Sequence, residues 1–367
     1  MSREQMTEEV ISNFQFPGTV TEVIPYGSGH INDTYRVTCV SEDKCRRYAL
    51  QRMNKEIFRQ PVELMENVIG ITQWIRRKVI EAGGDPEREA LNIVCAKDGR
   101  AYYVDSTGEY WRSYLFVEGT TSYDQVERPE DFYESARAFG HFQQLLADYP
   151  AKSLHETIPD FHNTVSRFAQ FQRAVEQDAC GRAKNVEQEI AFVTEREAFM
   201  HTLCDLERDG VLPTRVTHND TKLNNVLIDT ATGRAICVVD LDTVMPGLAV
   251  NDFGDSIRFG ASTGAEDEPD LDKIWCDLEL YELYTKGFIE GCGGALTDAE
   301  LDNLPIGAIM MTLECGMRFL ADYLEGDHYF KIHREGHNLD RARTQFKLVA
   351  DMEKKLPQMR AIADKYR

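Results

Sequence analysis

The sequence predicts an α+β fold with two lobes, a small β-rich N-terminal lobe and a larger, mainly helical C-terminal lobe. Before residue 118, short runs rich in β-branched residues alternate with turn residues, and a single helical pattern interrupts them. Beyond that point, apolar residues recur at helical spacing through several long segments. A chain of 367 residues has room for two cores. We therefore predict lobes over 1–117 and 118–367.

The N-terminal lobe is predicted to be an antiparallel sheet with one helix. Pro61 suits the first turn of that helix, and the apolar positions after it keep a spacing of three or four residues. The predicted strands are 19–25, 33–40, 46–53, 91–95, 101–104 and 109–117, and the predicted helix is 61–79.

The C-terminal lobe is predicted to contain long amphipathic helices with short strands between them. The predicted helices are 129–146, 161–176, 186–207, 271–290, 298–323 and 338–355. The predicted strands are 215–217, 226–228 and 235–239, and the acidic motifs described below follow these strands.

Composition narrows the classes of partner and compartment. A formal net charge of −21 argues against nucleic acid and anionic membranes, because a phosphate backbone needs a basic face. The sequence shows no basic start followed by an apolar run, and no uninterrupted apolar stretch of membrane length. The nine cysteines show no metal-ligand spacing. We expect a cytoplasmic protein with reduced thiols and no membrane partner. The charge does not exclude ATP, whose phosphates are neutralised locally.

The first chemical motif lies in the segment 218–225. Asp220 and Asn225 are five residues apart in a loop that follows a strand. Such a loop can place a carboxylate beside an acceptor hydroxyl and turn an amide oxygen toward Mg²⁺, as phosphoryl transfer requires. We predict Asp220 as the base and Asn225 as a metal ligand. His218 is expected to brace the loop.

The second motif follows the apolar strand 235–239. A carboxylate at the open end of a buried strand suits a divalent cation with oxygen ligands, so Asp240 is predicted to bind Mg²⁺. Asp242 has three open interpretations: a second ligand, an outer partner of the metal site, or a cap for the next turn. Asp252 and Asp255 are expected to cap the following helix and to fix the loop, with an alternative in which Asp252 orients the active-site loop through hydrogen bonds.

A glycine-containing turn joins the first two strands. Gly27, Gly29 and Asn32 fall in this turn, where backbone can approach phosphate closely. The lysine expected on the third strand of a kinase is absent, and Gln51 and Arg52 occupy that region. Either Arg52 takes the phosphate role or another residue does, and the acidic partner on the following helix is Glu63 or Glu66.

The order of these parts resembles the aminoglycoside phosphotransferase and choline kinase-like superfamily, which shares the protein kinase fold. Within that superfamily, several stretches are similar to the N-acetylhexosamine 1-kinases. These stretches are 48–54, 218–225, 239–247 with its continuation 251–260, and 312–320. The hinge-like segment at 114–118 belongs to the resemblance to the superfamily as a whole. The resemblance therefore implies a two-lobed protein kinase-like fold, with ATP near Phe116 and Val117.

The same resemblance implies a reaction. It implies phosphorylation, dependent on ATP and Mg²⁺, of the anomeric hydroxyl of N-acetylglucosamine or N-acetylgalactosamine to give the sugar 1-phosphate. By this likeness Asp220 is the base, Asn225 and Asp240 hold the metal, and the sugar contacts include His30, Arg318 and Tyr329. Read from its helical surroundings alone, Arg318 favours a structural salt bridge over a sugar contact.

Two other functions remain open. One is a kinase of the same superfamily that acts on choline, homoserine, methylthioribose or an aminoglycoside. The other is a nucleotide-binding pseudoenzyme, which the missing third-strand lysine suggests and the intact Asp220, Asn225 and Asp240 oppose.

Overall fold

The computed structural model describes residues 3–27, 31–42 and 44–367. The chain divides into two compact units. The sheet unit contains the described residues of Met1–Thr121 with Lys152–Ile158 and Leu227–Met245, and the helical unit contains Ser122–Ala151, Pro159–Val226 and Pro246–Arg367.

The sheet unit is built on a six-stranded antiparallel sheet. Its strand order is β1-β2-β3-β6-β4, and β5 also pairs with β6; a second sheet has the order β10-β9-β7. These strands are β1 Thr19–Pro25, β2 Asp33–Ser41, β3 Lys44–Arg52, β4 Ile93–Val94, β5 Tyr103–Val104, β6 Tyr110–Leu115, β7 Thr120–Thr121, β9 Val226–Asp229 and β10 Ala235–Val238, with β8 at Arg215–Thr217 in the helical unit. Alternate residues of the central strands, such as Val37, Leu50 and Trp111, form the buried face.

Two helices belong to the sheet unit, α1 Arg3–Asn13 and α2 Pro61–Glu81. Helix α2 begins with Pro61 and buries Leu64, Val68 and Ile71 on one face, so the predicted helix at 61–79 is present and two residues longer. Helix α1 was not predicted. It is short and polar, and periodicity gives little signal in such a segment.

The helical unit contains most of the helices. They are α3 Pro129–Leu145, α4 Thr164–Gln177, α5 Glu187–Thr194, α6 Glu197–Met200, α7 Thr202–Arg208, α8 Ala249–Gly260, α9 Leu278–Cys292, α10 Asp298–Glu325 and α11 His337–Lys365; β8 pairs with β11 Met245–Gly247. The prediction of one helix over 186–207 is wrong, because α5, α6 and α7 divide that segment. Arg196 lies at this break, where it donates to the carbonyl of Phe192 and to both oxygens of Glu353.

Helix α10 is the centre of the helical unit. A capping box begins it, in which Thr297 and Glu300 satisfy each other's backbone N–H groups. It is the one helix among the described residues that is long and apolar enough to cross a membrane, and 83% of its most apolar window is buried. Burial of that extent is the packing of a core helix.

Glycines bring α8 into backbone contact with α10. A Cβ atom at Gly254 would lie 2.2 Å from the carbonyl oxygen of Gly307, and one at Gly307 would lie 2.1 Å from the carbonyl oxygen of Val250. Only glycine permits this approach. The contact fixes the position of α8, which holds the loop described next.

Candidate active site

The predicted catalytic loop leaves the buried strand β8. Val216 and Thr217 are buried, and the ring of His218 is fully buried against the edges of Phe139 and Phe142, with ring centroids 5.3 and 5.8 Å apart. His218 therefore braces the loop by packing, as its sequence position predicts. The next residue, Asn219, adopts a left-handed φ of 63°, which turns the chain toward Asp220.

Asp252 of helix α8 holds this loop through hydrogen bonds to its backbone. Its two carboxylate oxygens accept the backbone N–H groups of His218 and Asn219, each at 2.8 Å, and Gln143 donates to the same carboxylate at 2.8 Å. Burial raises the pKa of Asp252 above its ordinary value, although the two backbone donors favour its charged form. Asp252 thus orients the catalytic loop.

Asp255, one turn further along α8, binds the next part of the loop. Its carboxylate accepts the backbone N–H of Thr221 at 3.0 Å and pairs with Arg258 at 3.0 Å. Asp252 and Asp255 fix the loop, as predicted, but the expectation that they also cap α8 is wrong. The cap position is Leu248, and both aspartates lie inside the helix with their side chains on the loop.

Asp220 and Asn225 meet at the end of the loop. The amide nitrogen of Asn225 donates to the backbone carbonyl of Asp220 at 2.9 Å and to its carboxylate at 3.3 Å. Lys222 pairs with the other carboxylate oxygen at 2.8 Å. Burial acts to lower the pKa of Lys222, but Asp220 and Asp255 together raise it above its ordinary value. With its nitrogen engaged, Asn225 presents its amide oxygen as an acceptor.

The predicted metal ligand Asp240 belongs to the sheet unit. It follows β10 with a left-handed φ of 59°, and its side chain is exposed. The neighbouring Asp242 is only 4% exposed, and its carboxylate accepts Asn32 at 2.6 Å and forms an ion pair with Arg112. Of the three interpretations of Asp242, this geometry favours the outer partner.

Each predicted metal ligand, taken by itself, carries a donor that suits Mg²⁺. Asn225 of the helical unit has an amide oxygen and Asp240 of the sheet unit has a carboxylate, and this cation accepts both kinds of oxygen. Among the described residues, no group of three His, Cys, Asp or Glu side chains is arranged to hold a metal. A Mg²⁺ ion would therefore also need water or phosphate oxygens, which is its usual coordination in kinases.

The predicted nucleotide-binding residues lie in the sheet unit. Gly27 has a φ of 84° with open space around its Cα, Gln51 bonds to Thr34 and Arg112, and Arg52 pairs with Asp33. Gly29 and His30 lie outside the described residues.

The hinge-like segment and one of the two candidate acidic residues make identifiable contacts. Phe116 packs edge-on against Tyr26, with ring centroids 5.3 Å apart, and Val117 is buried. Of the two candidate acidic residues on α2, Glu66 bonds to His155 at 2.7 Å.

Arg318 lies among aromatic rings in the helical unit. Its guanidinium carbon is 5.5 Å from the ring centres of Phe161 and Phe330 and 5.8 Å from that of Tyr329, whose side chain is well exposed. Arg318 also lies 3.9 Å from Glu314, one turn earlier on α10. The segment around Tyr329 is fixed by Asp322, which accepts three successive backbone N–H groups.

Two further polar residues next to Arg318 were not predicted. His162 Nδ1 bonds to Glu314 at 3.0 Å, while His162 Nε2 and the second oxygen of Glu314 are buried without a hydrogen-bond partner. Burial opposes charge on both groups, yet each raises the charged fraction of the other, so the pKa of His162 is raised and that of Glu314 is lowered. Asp255 acts electrostatically on both His162 and Lys222, so this pair and the catalytic loop share one charge network.

Comparison with known proteins shows the family of this chain. The sequence model of APH, the phosphotransferase enzyme family, matches residues 22–284, which is more than half of the chain. The chain belongs to the APH phosphotransferase family.

Solved structures of three other proteins have a similar fold. An aminoglycoside phosphotransferase from Alicyclobacillus acidocaldarius has 14% identity and a TM-score of 0.64, covering 98% of this chain and 96% of its own. A choline kinase from Cryptosporidium parvum has 16% identity and a TM-score of 0.55, with coverages of 95% and 92%. A spectinomycin phosphotransferase, APH(9)-Ia, solved with ADP and spectinomycin, has 13% identity and a TM-score of 0.56, with coverages of 98% and 99%.

These likenesses confirm the predicted fold class. The protein has the mixed architecture of APH phosphotransferases and choline kinases, with an antiparallel sheet in its N-terminal region and helices in its C-terminal region. In the helical unit of this chain, Asp220 lies beside Asn225, and Arg318 separately lies beside Tyr329. Within the sheet unit, Asn32 and Gln51 share the network of Asp242 and Arg112.

Proposed function

We propose that this phosphotransferase uses ATP and Mg²⁺ to phosphorylate the anomeric hydroxyl of N-acetylhexosamines, N-acetylglucosamine or N-acetylgalactosamine, giving the sugar 1-phosphate. The observation that carries the proposal is the lining around Arg318. It combines aromatic rings with two arginines, Arg318 and Arg167, around one buried carboxylate, Glu314. The protein is expected to act in the cytoplasm with a sugar as its small-molecule partner.

This lining suits a neutral sugar better than a cation. Burial and the neighbouring Arg318 lower the pKa of Arg167, so the two guanidinium groups repel each other and would repel a cationic acceptor. Aromatic faces bind the apolar faces of a sugar, while the unpartnered atoms of His162 and Glu314 offer buried hydrogen-bond positions. Choline and aminoglycosides are cationic, so Arg318 and Arg167 would oppose their binding.

Asp220 is the proposed base. It would accept the proton of the anomeric hydroxyl while the sugar oxygen forms a bond to the γ-phosphorus and the bond from that phosphorus to the ADP oxygen breaks. An anomeric hydroxyl is more acidic than an ordinary alcohol, so placement of Asp220 matters more than its basicity. Asn225 fixes that placement by its bond to Asp220.

The remaining assignments complete the proposal. Asn225 and Asp240 would hold Mg²⁺, which supplies neutralisation of the phosphate charge. ATP would contact the glycine turn, the third strand and the hinge-like segment through residues Gly27, Gly29, Asn32, Gln51, Arg52, Phe116 and Val117, and His30 would add a sugar contact. The ADP found in the spectinomycin phosphotransferase supports a nucleotide of this kind.

A substrate panel tests the proposal. ADP release is measured with N-acetylglucosamine, N-acetylgalactosamine, choline, spectinomycin, homoserine and methylthioribose. We expect turnover with the two N-acetylhexosamines. Asp220→Asn should lower this turnover by about 100-fold or more, because the base is removed. Arg318→Gln should lower kcat/KM by about tenfold or more. Arg343→Gln, which removes a half-exposed arginine paired with Glu189, is the matched control and should retain activity. Preferred turnover of a cationic acceptor would exclude the sugar assignment.

A further inference from the structure

The sheet unit contains a fully buried arginine that the proposed reaction does not yet use. Arg112 on β6 is 1% exposed and is among the largest fully buried side chains of the described residues. Its Nε donates to Gln51 at 3.0 Å, and its Nη1 pairs with Asp242. Removing one partner of such a buried pair leaves the other charge uncompensated, so the pair acts as a unit.

Arg112 occupies the place opposite the missing lysine. Gln51 lies on β3 where a kinase lysine is expected, and the strand register sets Arg112 of β6 directly across from Gln51. Arg52, the other sequence candidate, instead pairs with Asp33 and is more than one-third exposed. The buried cation of this region therefore comes from the neighbouring strand.

The partner of Arg112 belongs to the loop 240–242 that follows β10, called the acidic loop below. Asp242 follows Asp240 by two residues, and its second oxygen accepts Asn32 from the end of the glycine turn. Asn32 also accepts the backbone N–H of Asn54 at 3.0 Å, which fixes its amide. Arg112 and Asn32 thus hold one carboxylate from two sides.

Charge reinforces this geometry. Burial alone would lower the pKa of the Arg112 guanidinium, but Asp242 raises it above its ordinary value, and Asp240 adds to that effect. Arg112 is therefore charged, and it lies within electrostatic range of both aspartates of the loop.

A second anchor of this segment comes from α2, where Asn67 donates to the carbonyl of Val244 at 3.2 Å.

We propose that Arg112 is the positioning residue that replaces the third-strand lysine, holding Asp242 and thereby the Asp240 loop in the conformation that binds the Mg²⁺–nucleotide complex. The inference rests on the proposed kinase function but not on the identity of the acceptor. It assigns Gln51 a definite part as well, because the amide oxygen of Gln51 orients the guanidinium. The charge has moved one strand across the sheet, and its partner is Asp242 rather than Glu63 or Glu66 of α2.

The test removes the positive charge from β6 and then restores a positive charge on β3. Arg112→Gln removes it, and the double variant Gln51→Lys with Arg112→Gln returns a lysine to β3. Arg36→Gln is the matched control, because Arg36 is a partly buried arginine of the same sheet paired with Glu22. Binding of the imido analogue of ATP with Mg²⁺ is measured by calorimetry without acceptor, and melting curves report folding.

We expect Arg112→Gln to weaken nucleotide binding by about 10- to 100-fold, the range found for partners that orient metal ligands. The double variant should recover to within about threefold of wild type, and Arg36→Gln should bind normally. If Arg112 contributes only to stability, Arg112→Gln should lower the melting temperature, and the double variant should not recover the affinity for nucleotide. Arg112→Lys, which keeps the charge but loses the two-pronged contact, provides the same comparison if Arg112→Gln does not fold, and its affinity should fall by about tenfold.

Two results would overturn the inference. A folded Arg112 variant that binds nucleotide like wild type would show that Arg112 has no positioning role, and so would a double variant that regains its melting temperature but not its affinity. Wild-type protein that fails to bind the nucleotide would remove the kinase proposal as well, whereas a failed sugar panel with normal nucleotide binding would leave Arg112 assigned.

Discussion

At the residue scale, the pair of His162 and Glu314 shows how burial and charge are balanced beside Arg318. Each residue has one bonded and one unpartnered polar atom, and both are shielded from water. The pair retains its charge because each partner compensates the desolvation of the other. In the proposed sugar site, the two unpartnered atoms would be available to hydrogen-bond the ligand.

The stability contributed by this pair should depend on pH. The pKa of Glu314 is lowered from 4.5, so its contribution is present above that value and is lost as pH falls through the lowered pKa. The pKa of His162 is raised from 6.5, so its contribution is present below that value and is lost as pH rises through the raised pKa. The free-energy difference of unfolding between wild type and His162→Gln should therefore be largest between pH 4.5 and 6.5.

Denaturant unfolding from pH 4.5 to 9 measures this difference, which we expect to reach about 3 kcal/mol at its maximum. His155→Gln is the control. His155 forms a histidine–glutamate pair with Glu66, but both side chains are more than one-third exposed, so its removal should change the unfolding energy by less than about 1 kcal/mol. A His162→Gln difference that stays constant across the range would mean that the pair is not charged.

At the element scale, helix α8 links the core of the helical unit to the catalytic loop. Its Gly254 contacts Gly307 of α10, and its Asp252 and Asp255 bond the backbone of the loop. Because α8 is held by backbone contact, a displacement at the α8–α10 crossing should be transmitted to Asp220.

Gly307→Ala tests this coupling. Helix propensity alone predicts a gain of about 1 kcal/mol, but the added Cβ would meet the carbonyl oxygen of Val250 at 2.1 Å. Overpacking should prevail, lowering the free energy of unfolding by about 2 kcal/mol and reducing kcat.

Ala299→Gly, near the start of the same helix, serves as the matched control. It should lose about 1 kcal/mol through propensity alone while leaving kcat unchanged. Stabilisation by Gly307→Ala would show that the close contact does not govern the packing of α8.

The sequence predicted the elements that carry a periodic signal and the residues that follow strands. Asp220, Asn225 and Asp240 were identifiable because polar residues at the ends of apolar strands are conspicuous. The role of Asp252 was only an alternative, since its partners lie 33 and 34 residues away. The pairing of His162 with Glu314 spans 152 residues, and that of Arg112 with Asp242 spans 130, so no local pattern reveals either.

At the scale of the whole molecule, the chain is acidic, but individual arginine and lysine side chains lie beside specific partners in the candidate sites. Despite a net charge of −21, arginine and lysine side chains lie at the acidic loop, at the catalytic loop and beside the aromatic rings. This local placement is what a phosphate-handling protein needs. Membership of the APH family and the sheet and helical units agree with a small-molecule kinase, and the aromatic and arginine lining supports a sugar as the acceptor.

The most direct measurement is phosphorus NMR of the product formed from ATP with N-acetylglucosamine and with N-acetylgalactosamine. We predict a sugar phosphate whose phosphorus couples to the anomeric proton, formed only with Mg²⁺ and absent after metal chelation or in Asp220→Asn. Phosphate on any other hydroxyl would contradict the assigned position. Absence of a sugar phosphate under conditions in which the enzyme phosphorylates choline or an aminoglycoside would contradict the central claim.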